Sequence, residues 1–342
     1  MEDHRQVQLN QWLTEVLAGE DFKLSVASAD ASFRRYFRMH LKDFTMIAMD
    51  APPPQENCIP FVHVAKIFGE AGLNVPKVVA QDVVNGLLLL TDLGDSTYLS
   101  QLSAETAPRL YSDASMALIK LQLASKQGIL PDYDAALLLR EMQLFPDWYV
   151  ARHLNVTLDE KQHAALQSTF ELLTQNILAQ GQVYVHRDYH SRNLMVCSDE
   201  MAENPGILDF QDAVYGAITY DLASLLKDAY IEWDEEQVID WLVRYWQEAR
   251  KAGLPVPQDF SEFYRDFEYM GAQRHIKVLG IFARLYHRDG KDSYLKDMPL
   301  VMRYLRKVCE RYVELRPMLR LLDTLDGLEN HPDTNYKRLL KL

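Results

Sequence analysis

The chain has 342 residues, 48% of them hydrophobic and 25% charged, which are the proportions of an ordinary water-soluble protein large enough for two lobes. Its 36 Lys and Arg against 49 Asp and Glu leave a net charge of -13, which repels nucleic acid and anionic membranes as main partners while leaving room for a local basic pocket. The three cysteines, Cys58, Cys197 and Cys309, are odd in number and widely spaced, and the opening MEDHRQVQLNQWL has neither the basic start nor the apolar core of a signal peptide. With no long uninterrupted apolar run either, the expectation is a cytoplasmic protein with no membrane, nucleic-acid or evident protein partner.

Leu9, Trp12, Leu13, Val16 and Leu17 recur at helical spacing and predict an opening amphipathic helix that packs and carries no chemistry. Three β-rich runs follow, FKLSVAS, RRYFRMH and FTMIAMD, the first two separated by the turn-forming Ser28 to Phe33. The prolines at 52–54 end the third run. A helix with Phe61, Val64, Ala65 and Phe68 on one face is next, then strands around Val75–Ala80 and Gly86–Leu90, and the polar connector Thr91–Asp95.

Beyond Gly94 the pattern is mainly helical. Leu110, Ala114, Leu118 and Leu121 share one face, and Thr157-Leu158-Asp159-Glu160 reads as a capping box opening a helix with Leu166, Phe170, Leu173 and Ile177. Further helices are predicted around Leu222–Ala229, Val238–Ala249, Tyr269–Tyr286 and Leu300–Leu315, with Pro317 breaking the last, and the tail from Glu329 is polar. Asp221 reads as a helix N-cap or loop brace.

Into this helical region the chain inserts Tyr184 to Val196, YVHRDYHSRNLMV, and then Ile207 to Asp212, ILDFQD. The first is a polar loop between apolar strands, where chemistry is usually placed. Its spacing matches the catalytic loop H-R-D-x-x-x-x-N of protein kinases, in which the Asp accepts a hydroxyl proton and the Asn binds a metal ion. Asp188 is thus the candidate base, and Asn193 with Asp209 the candidate magnesium ligands. His186 reads as a brace for the loop. Other readings are open at this point: His186-x-Asp188-x-His190 alternates as metal-hydrolase ligands do, and a non-catalytic nucleotide-binding scaffold fits the same strands.

The residues His186-x-Asp188-x-His190-x-x-Asn193, Leu208-Asp209-Phe210-Gln211-Asp212, Gly216 and Tyr220-Asp221-Leu222-Ala223 resemble the aminoglycoside phosphotransferase-like kinases. The second histidine, His190, is typical of that family and points to a small-molecule acceptor. Asp30 to Tyr36, Met49 to Pro53, Phe145 to Tyr149 and Gln273 to Phe282 look more narrowly like the bacterial sugar kinases that act on the anomeric hydroxyl of N-acetylmuramate and N-acetylglucosamine in cell-wall recycling. The resemblance implies an α+β, bilobal protein-kinase-like fold. It places a β-rich, nucleotide-binding N-lobe with an N-terminal helix over 1–92 and a helical, catalytic and substrate-binding C-lobe over 93–342. It also implies ATP as co-substrate, Mg2+, and a sugar as acceptor; an amino alcohol or aminoglycoside acceptor is the alternative.

Against the wider kinase pattern, the glycine-rich loop is absent, so Ser32, Phe33 and Arg34 are the candidates for phosphate contact. The third strand, Met46-Ile47-Ala48-Met49, carries no lysine, and Phe61-Val62-His63 stands where the partner glutamate is expected. Arg34, Arg35 and Arg38 are the nearest substitutes. Thr91 and Leu93 would face adenine. For the sugar the candidates are Gln211, Asp212, Glu141, Arg274 and Lys277, the last two as cations for a lactyl carboxylate.

Overall fold

The computed structural model describes residues 3–29, 33–197 and 204–327. Ser32 and the tail from Glu329 lie outside the described residues. The chain divides into two compact units, Met1–Ala124 with His186–Ala213, and Ser125–Val185 with Val214–Leu342. These units follow different lines from the 92/93 boundary read in the sequence, because residues 93–124 and the stretch 186–213 pack with residues 1–92.

The first unit is built on a five-stranded sheet in the order β1-β2-β3-β5-β4, comprising β1 Lys23–Ala29, β2 Arg35–His40, β3 Thr45–Asp50, β4 Val78–Asp82 and β5 Leu87–Thr91. All of its pairings are antiparallel. Helix α1, His4–Val16, starts at Asp3, whose carboxylate accepts the backbone N–H groups of Arg5 and Gln6. Leu9 and Leu13, one turn apart, bury against Phe37, Met39, Met46, Ala48, Leu87 and Leu89 of the sheet. The expected packing helix is therefore present, with a narrower buried stripe than its five apolar residues implied.

A charged cluster fixes that helix to the sheet. Asp50 is fully buried and takes ion pairs from Arg5 and, at 2.6 Å, from Arg35, which also pairs with Asp3. Between β4 and β5, Gly86 turns with φ +71°, where a Cβ would lie 2.0 Å from the Ala51 carbonyl oxygen. Only glycine fits there.

Helix α2, Ile59–Glu70, buries Phe61, Val64, Ala65 and Phe68, the face the sequence predicted. The short α3, Tyr98–Gln101, and α4, Ala107–Leu123, complete the unit with the hairpin of β7, Leu194–Met195, and β8, Gly206–Ile207.

The second unit contains α5 Ala135–Met142, a π-helical segment Phe145–His153, α6 Glu160–Ala179, the antiparallel pair of β6 Gln182–Val185 and β9 Val214–Ala217, and α7 Tyr220–Leu226. It continues with α8 Glu235–Lys251, the 30-residue α9 Phe260–Asp289, α10 Met298–Arg311 and α11 Arg316–Leu325. Helix α9 is its spine, buried without a break from Phe267 to Gly280. Gly280 lets the π-helical segment press against it, since a Cβ would fall 2.4 Å from the Leu144 carbonyl carbon.

Three details depart from expectation. The capping box of α6 is formed by Asp159 and Gln162, which exchange side-chain and backbone bonds at 2.8 Å each, so the cap lies two residues beyond Thr157. The helix expected to run to Leu315 ends at Arg311, and Pro317 occupies the first turn of α11, where its missing N–H costs nothing, so it starts a helix and does not break the one before. Asp221 lies in the first turn of α7, whose N-cap is Thr219.

Candidate active site

The hairpin register sets the geometry. Leu194 pairs with Ile207 and Met195 with Gly206, so the residues just outside, Asn193 and Leu208, face each other, and the Leu208 N–H donates to the Asn193 carbonyl at 2.9 Å. One residue further, the Asn193 Nδ2 donates to Asp209 Oδ2 at 3.3 Å and to the Asp188 carbonyl at 3.0 Å. A single side chain thus ties the loop of the candidate base to the candidate metal carboxylate. The other Asp209 oxygen, Oδ1, accepts the Gln211 Nε2 at 2.8 Å.

Both segments are held from behind. His186 is fully buried; its Nε2 bonds to the Leu208 carbonyl at 2.9 Å, and its Nδ1 accepts the Asp188 N–H at 3.2 Å. That pattern requires the neutral ring with the proton on Nε2. Burial pushes the His186 pKa down to about 4, and neighbouring His190 adds to the effect against the opposing pull of Asp188. His186 is accordingly the loop brace the sequence predicted. The Tyr189 hydroxyl donates to the Ala114 carbonyl at 2.8 Å, and Phe210 packs between Phe61 and Phe68 of α2 with ring centroids 4.8 and 5.7 Å away.

Two non-glycine residues of the site are in the left-handed region, Arg187 at φ 77° and Asp209 at φ 62°. Asp tolerates that conformation, but for Arg it costs about 1–3 kcal/mol, and such strain is held where surrounding structure over-determines it. Here the Asn193, His186 and Tyr189 bonds do so.

A cavity of about 290 Å³ in the same unit runs from the connector after β5 to this carboxylate, lined by Ile47, Pro76, Leu90, Thr91, Leu93 and Asp209 among others. Thr91 and Leu93 therefore line one cavity with Asp209. Thr91 donates its N–H to the Lys77 carbonyl at 3.0 Å and its hydroxyl oxygen accepts the Lys77 N–H at 2.9 Å, which closes the end of the sheet. Arg38 grips Asp92 with bonds of 2.6 and 3.2 Å, and Asp92 also accepts the Thr45 hydroxyl and the Gly94 N–H. Burial raises the Asp92 pKa, but these bonds outweigh it and hold the carboxyl below its ordinary value. No sequence pattern marks this clamp on the connector.

Of the remaining candidates, Phe33 is 68% exposed, and its backbone N–H donates to Glu56 Oε1 at 3.2 Å. Arg34 pairs with the same carboxylate, Nε to Oε2 at 3.0 Å. A glutamate is therefore present near α2 after all, ahead of the helix and not on the turn where it was sought. Asp212 is exposed, and its carbonyl accepts Arg187 Nη1 at 3.4 Å.

Glu141, Arg274 and Lys277 belong to the second unit. Lys277 pairs with Glu141 at 3.1 Å and donates to the Tyr220 hydroxyl at 2.9 Å, while the Tyr133 hydroxyl donates to Glu141 and accepts Gln273 Nε2 at 3.3 Å. Arg274 differs. It is 4% exposed, and its Nη1 is buried with no hydrogen-bond partner among the described residues.

The sequence pattern of the Phosphotransferase enzyme family matches residues 23–261. The chain belongs to the phosphotransferase enzyme family. It is 50% identical over 330 residues to an N-acetylmuramate/N-acetylglucosamine kinase of Neisseria meningitidis, covering 95% of this chain and 97% of that one. A protein of the same name from Pseudomonas aeruginosa is 48% identical, with 95% and 98% covered. Among solved structures, a choline kinase from Streptococcus pneumoniae superposes with a TM-score of 0.64 at 12% identity, covering 89% of this chain and all 100% of that one. An ADP-bound aminoglycoside phosphotransferase superposes at 0.59 and 13% identity, with 90% and 99% covered. At such identities these two share the fold alone. The α+β, kinase-like fold read from the sequence is thereby established for this family member. No helix among the described residues is long and apolar enough to cross a membrane.

Proposed function

We propose that this phosphotransferase moves the γ-phosphoryl group of ATP to the anomeric hydroxyl of N-acetylmuramate or N-acetylglucosamine. The observation that carries the reading is the Asn193 amide, bonded at once to the Asp188 carbonyl and the Asp209 carboxylate at the end of the 290 Å³ cavity. The names borne by relatives that align with nearly the whole chain support the choice of sugar. In functional terms we assign nucleotide binding to 1–92, and catalysis and acceptor binding to 93–342.

In this reading adenine lies along Leu90 and Thr91, against the main chain of Leu93. Phosphoryl transfer needs alignment and charge neutralisation more than covalent help. Asp188 orients the sugar hydroxyl and takes its proton as the new oxygen–phosphorus bond forms and the bond to the bridging oxygen of ADP breaks. The anomeric hydroxyl, being a hemiacetal, is more acidic than an ordinary alcohol, so an aspartate of common basicity suffices. The donor set also fits magnesium, a hard cation that takes oxygen ligands: a carboxylate and an amide oxygen. Asn193 and Asp209 would hold that ion, which supplies charge neutralisation on the phosphates. Gln211 fixes the rotamer of Asp209, and Asp212 and Ser32 stay candidates for contact with acceptor and phosphate.

For the acceptor, Glu141 and Lys277 largely neutralise each other, and Arg274 is the better cation for a lactyl carboxylate, because a buried guanidinium is costly without an anion. The test is to give purified protein Mg-ATP with each sugar and with its 1-O-methyl glycoside, following products by phosphorus NMR. Phosphorylation of the free sugars and rejection of the glycosides is expected. Equal use of the blocked glycosides would refute the position assigned.

A further inference from the structure

The third strand offers no lysine, yet a bound triphosphate brings several negative charges to a cavity end that already holds Asp209. Three arginines lie close by in sequence, and the structure separates them. Arg35 is committed to Asp50 and Asp3, in the cluster that secures α1. Arg38 is committed to Asp92 and to the Gly94 carbonyl at 2.7 Å, in the clamp on the connector. Arg34 is placed otherwise.

Its Nε meets Glu56 Oε2 at 3.0 Å, and both side chains are only 12% exposed. The second oxygen of the same carboxylate holds the Phe33 N–H at 3.2 Å, so Glu56 fixes the guanidinium and the backbone that carries it together. Burial works against the Arg34 charge, but Tyr36, Glu56, Asp209 and Asp212 outweigh it and raise the pKa. Tyr36 and Arg38, two and four residues further along the strand, line the cavity with Asp209, so the alternation of β2 puts Arg34 on that same face. The ion pair with Glu56 places the guanidinium, and a placed fork is the preorganisation that phosphate recognition needs.

We propose that Arg34 is the phosphate-clamping cation of this enzyme and that Glu56 is its positioning residue, together replacing the strand lysine and helix glutamate of other kinases. The proposal rests on the reading of the cavity as an ATP site. Segment 51–58, with its prolines, then has a role beyond linking β3 to α2: it carries the carboxylate to the start of β2.

The experiment is calorimetric binding of ATP, ADP and adenosine to wild-type protein, Arg34→Ala, Arg34→Lys, Glu56→Gln and the double variant Arg34→Ala with Glu56→Gln, beside steady-state kinetics and thermal melts. Arg34→Ala should weaken ATP binding about 10- to 100-fold and lower turnover about 100-fold, with adenosine affinity unchanged. Arg34→Lys should recover part of the ATP affinity and less of the turnover. Glu56→Gln should raise KM for ATP about tenfold, and the double variant should be no worse than Arg34→Ala alone, because the carboxylate acts through the guanidinium. Wild-type ATP affinity in Arg34→Ala would overturn the clamp, and additive losses in the double variant would overturn the positioning role. Should Arg34→Ala not fold, the comparison of Arg34→Lys with Glu56→Gln decides the same question. Binding of ATP that depends on Arg34 in a protein that phosphorylates neither sugar would leave this proposal standing and refute the assigned reaction.

Discussion

Asn193 and Asp209, 16 positions apart in the chain, meet at 3.3 Å because the antiparallel pairing of β7 with β8, two residues each, aligns their backbones. The same amide reaches the Asp188 carbonyl, so the geometry of the proposed base and the proposed metal carboxylate depends on one side chain.

Replacing that side chain should therefore affect more than metal affinity. Asn193→Ala is expected to lower turnover by about 100-fold or more and to raise the magnesium concentration needed for half-maximal rate. Initial rates across a magnesium titration would measure both. A variant with normal turnover and a normal magnesium requirement would remove Asn193 from the site.

Asp188→Asn keeps the shape of the side chain and removes its basicity. Turnover should fall by about three orders of magnitude while ATP affinity stays within a few-fold, as read by single-turnover kinetics and calorimetry. An active variant would mean that another group takes the proton.

His186 gives a prediction in pH. Its folded pKa of about 4 lies below the ordinary 6.5, so between these values the unfolded chain binds the proton and the folded protein does not. Stability is then full above about pH 6.5 and falls as pH drops toward 4, by roughly 3 kcal/mol from this residue. Urea unfolding at pH 7 and pH 4.5 should show a smaller drop for His186→Gln than for the wild type. Equal drops would place the acid sensitivity elsewhere, with His275, also fully buried and lowered by burial, as the next residue to replace.

Arg274→Gln should separate the two sugars. With Arg274 as the proposed cation for the lactyl carboxylate, its loss should cost about 100-fold in kcat/KM for N-acetylmuramate, while N-acetylglucosamine, which has no carboxylate, should change little. Parallel kinetics on both acceptors would show it, and an equal loss on both would make Arg274 a structural residue.

Asp50→Ala removes the anion on which Arg5 and Arg35 converge, and should lower stability by about 3 kcal/mol without touching the cavity lining. A fall in Tm with nucleotide affinity preserved is the expected signature. An unchanged Tm would show that α1 is held by Leu9 and Leu13 alone.

The reaction class was legible in the linear chain because its machinery is local. His186 to Asn193 is one loop, Asp209 follows within one hairpin, and period-2 and period-3.6 patterns marked the strands and helices around them. The face of α2 and the packing role of α1 were legible for the same reason. Glu56 was not, because it lies in a proline-rich connector whose path no periodicity describes, and its partner is on another strand. Nor were the separate fates of Arg34, Arg35 and Arg38, neighbours of one residue type that alternate across or end a strand and so meet different carboxylates. Glu141 and Lys277 looked like two polar candidates and are one buried pair, brought together by the packing of α5 on α9. Sequence by itself thus determined the fold class and which groups carry the proposed chemistry of Asp188, Asn193 and Asp209. Tertiary structure alone decided which charges are spent on one another, since an ion pair depends on distance in space and on burial, and neither is written in the order of residues.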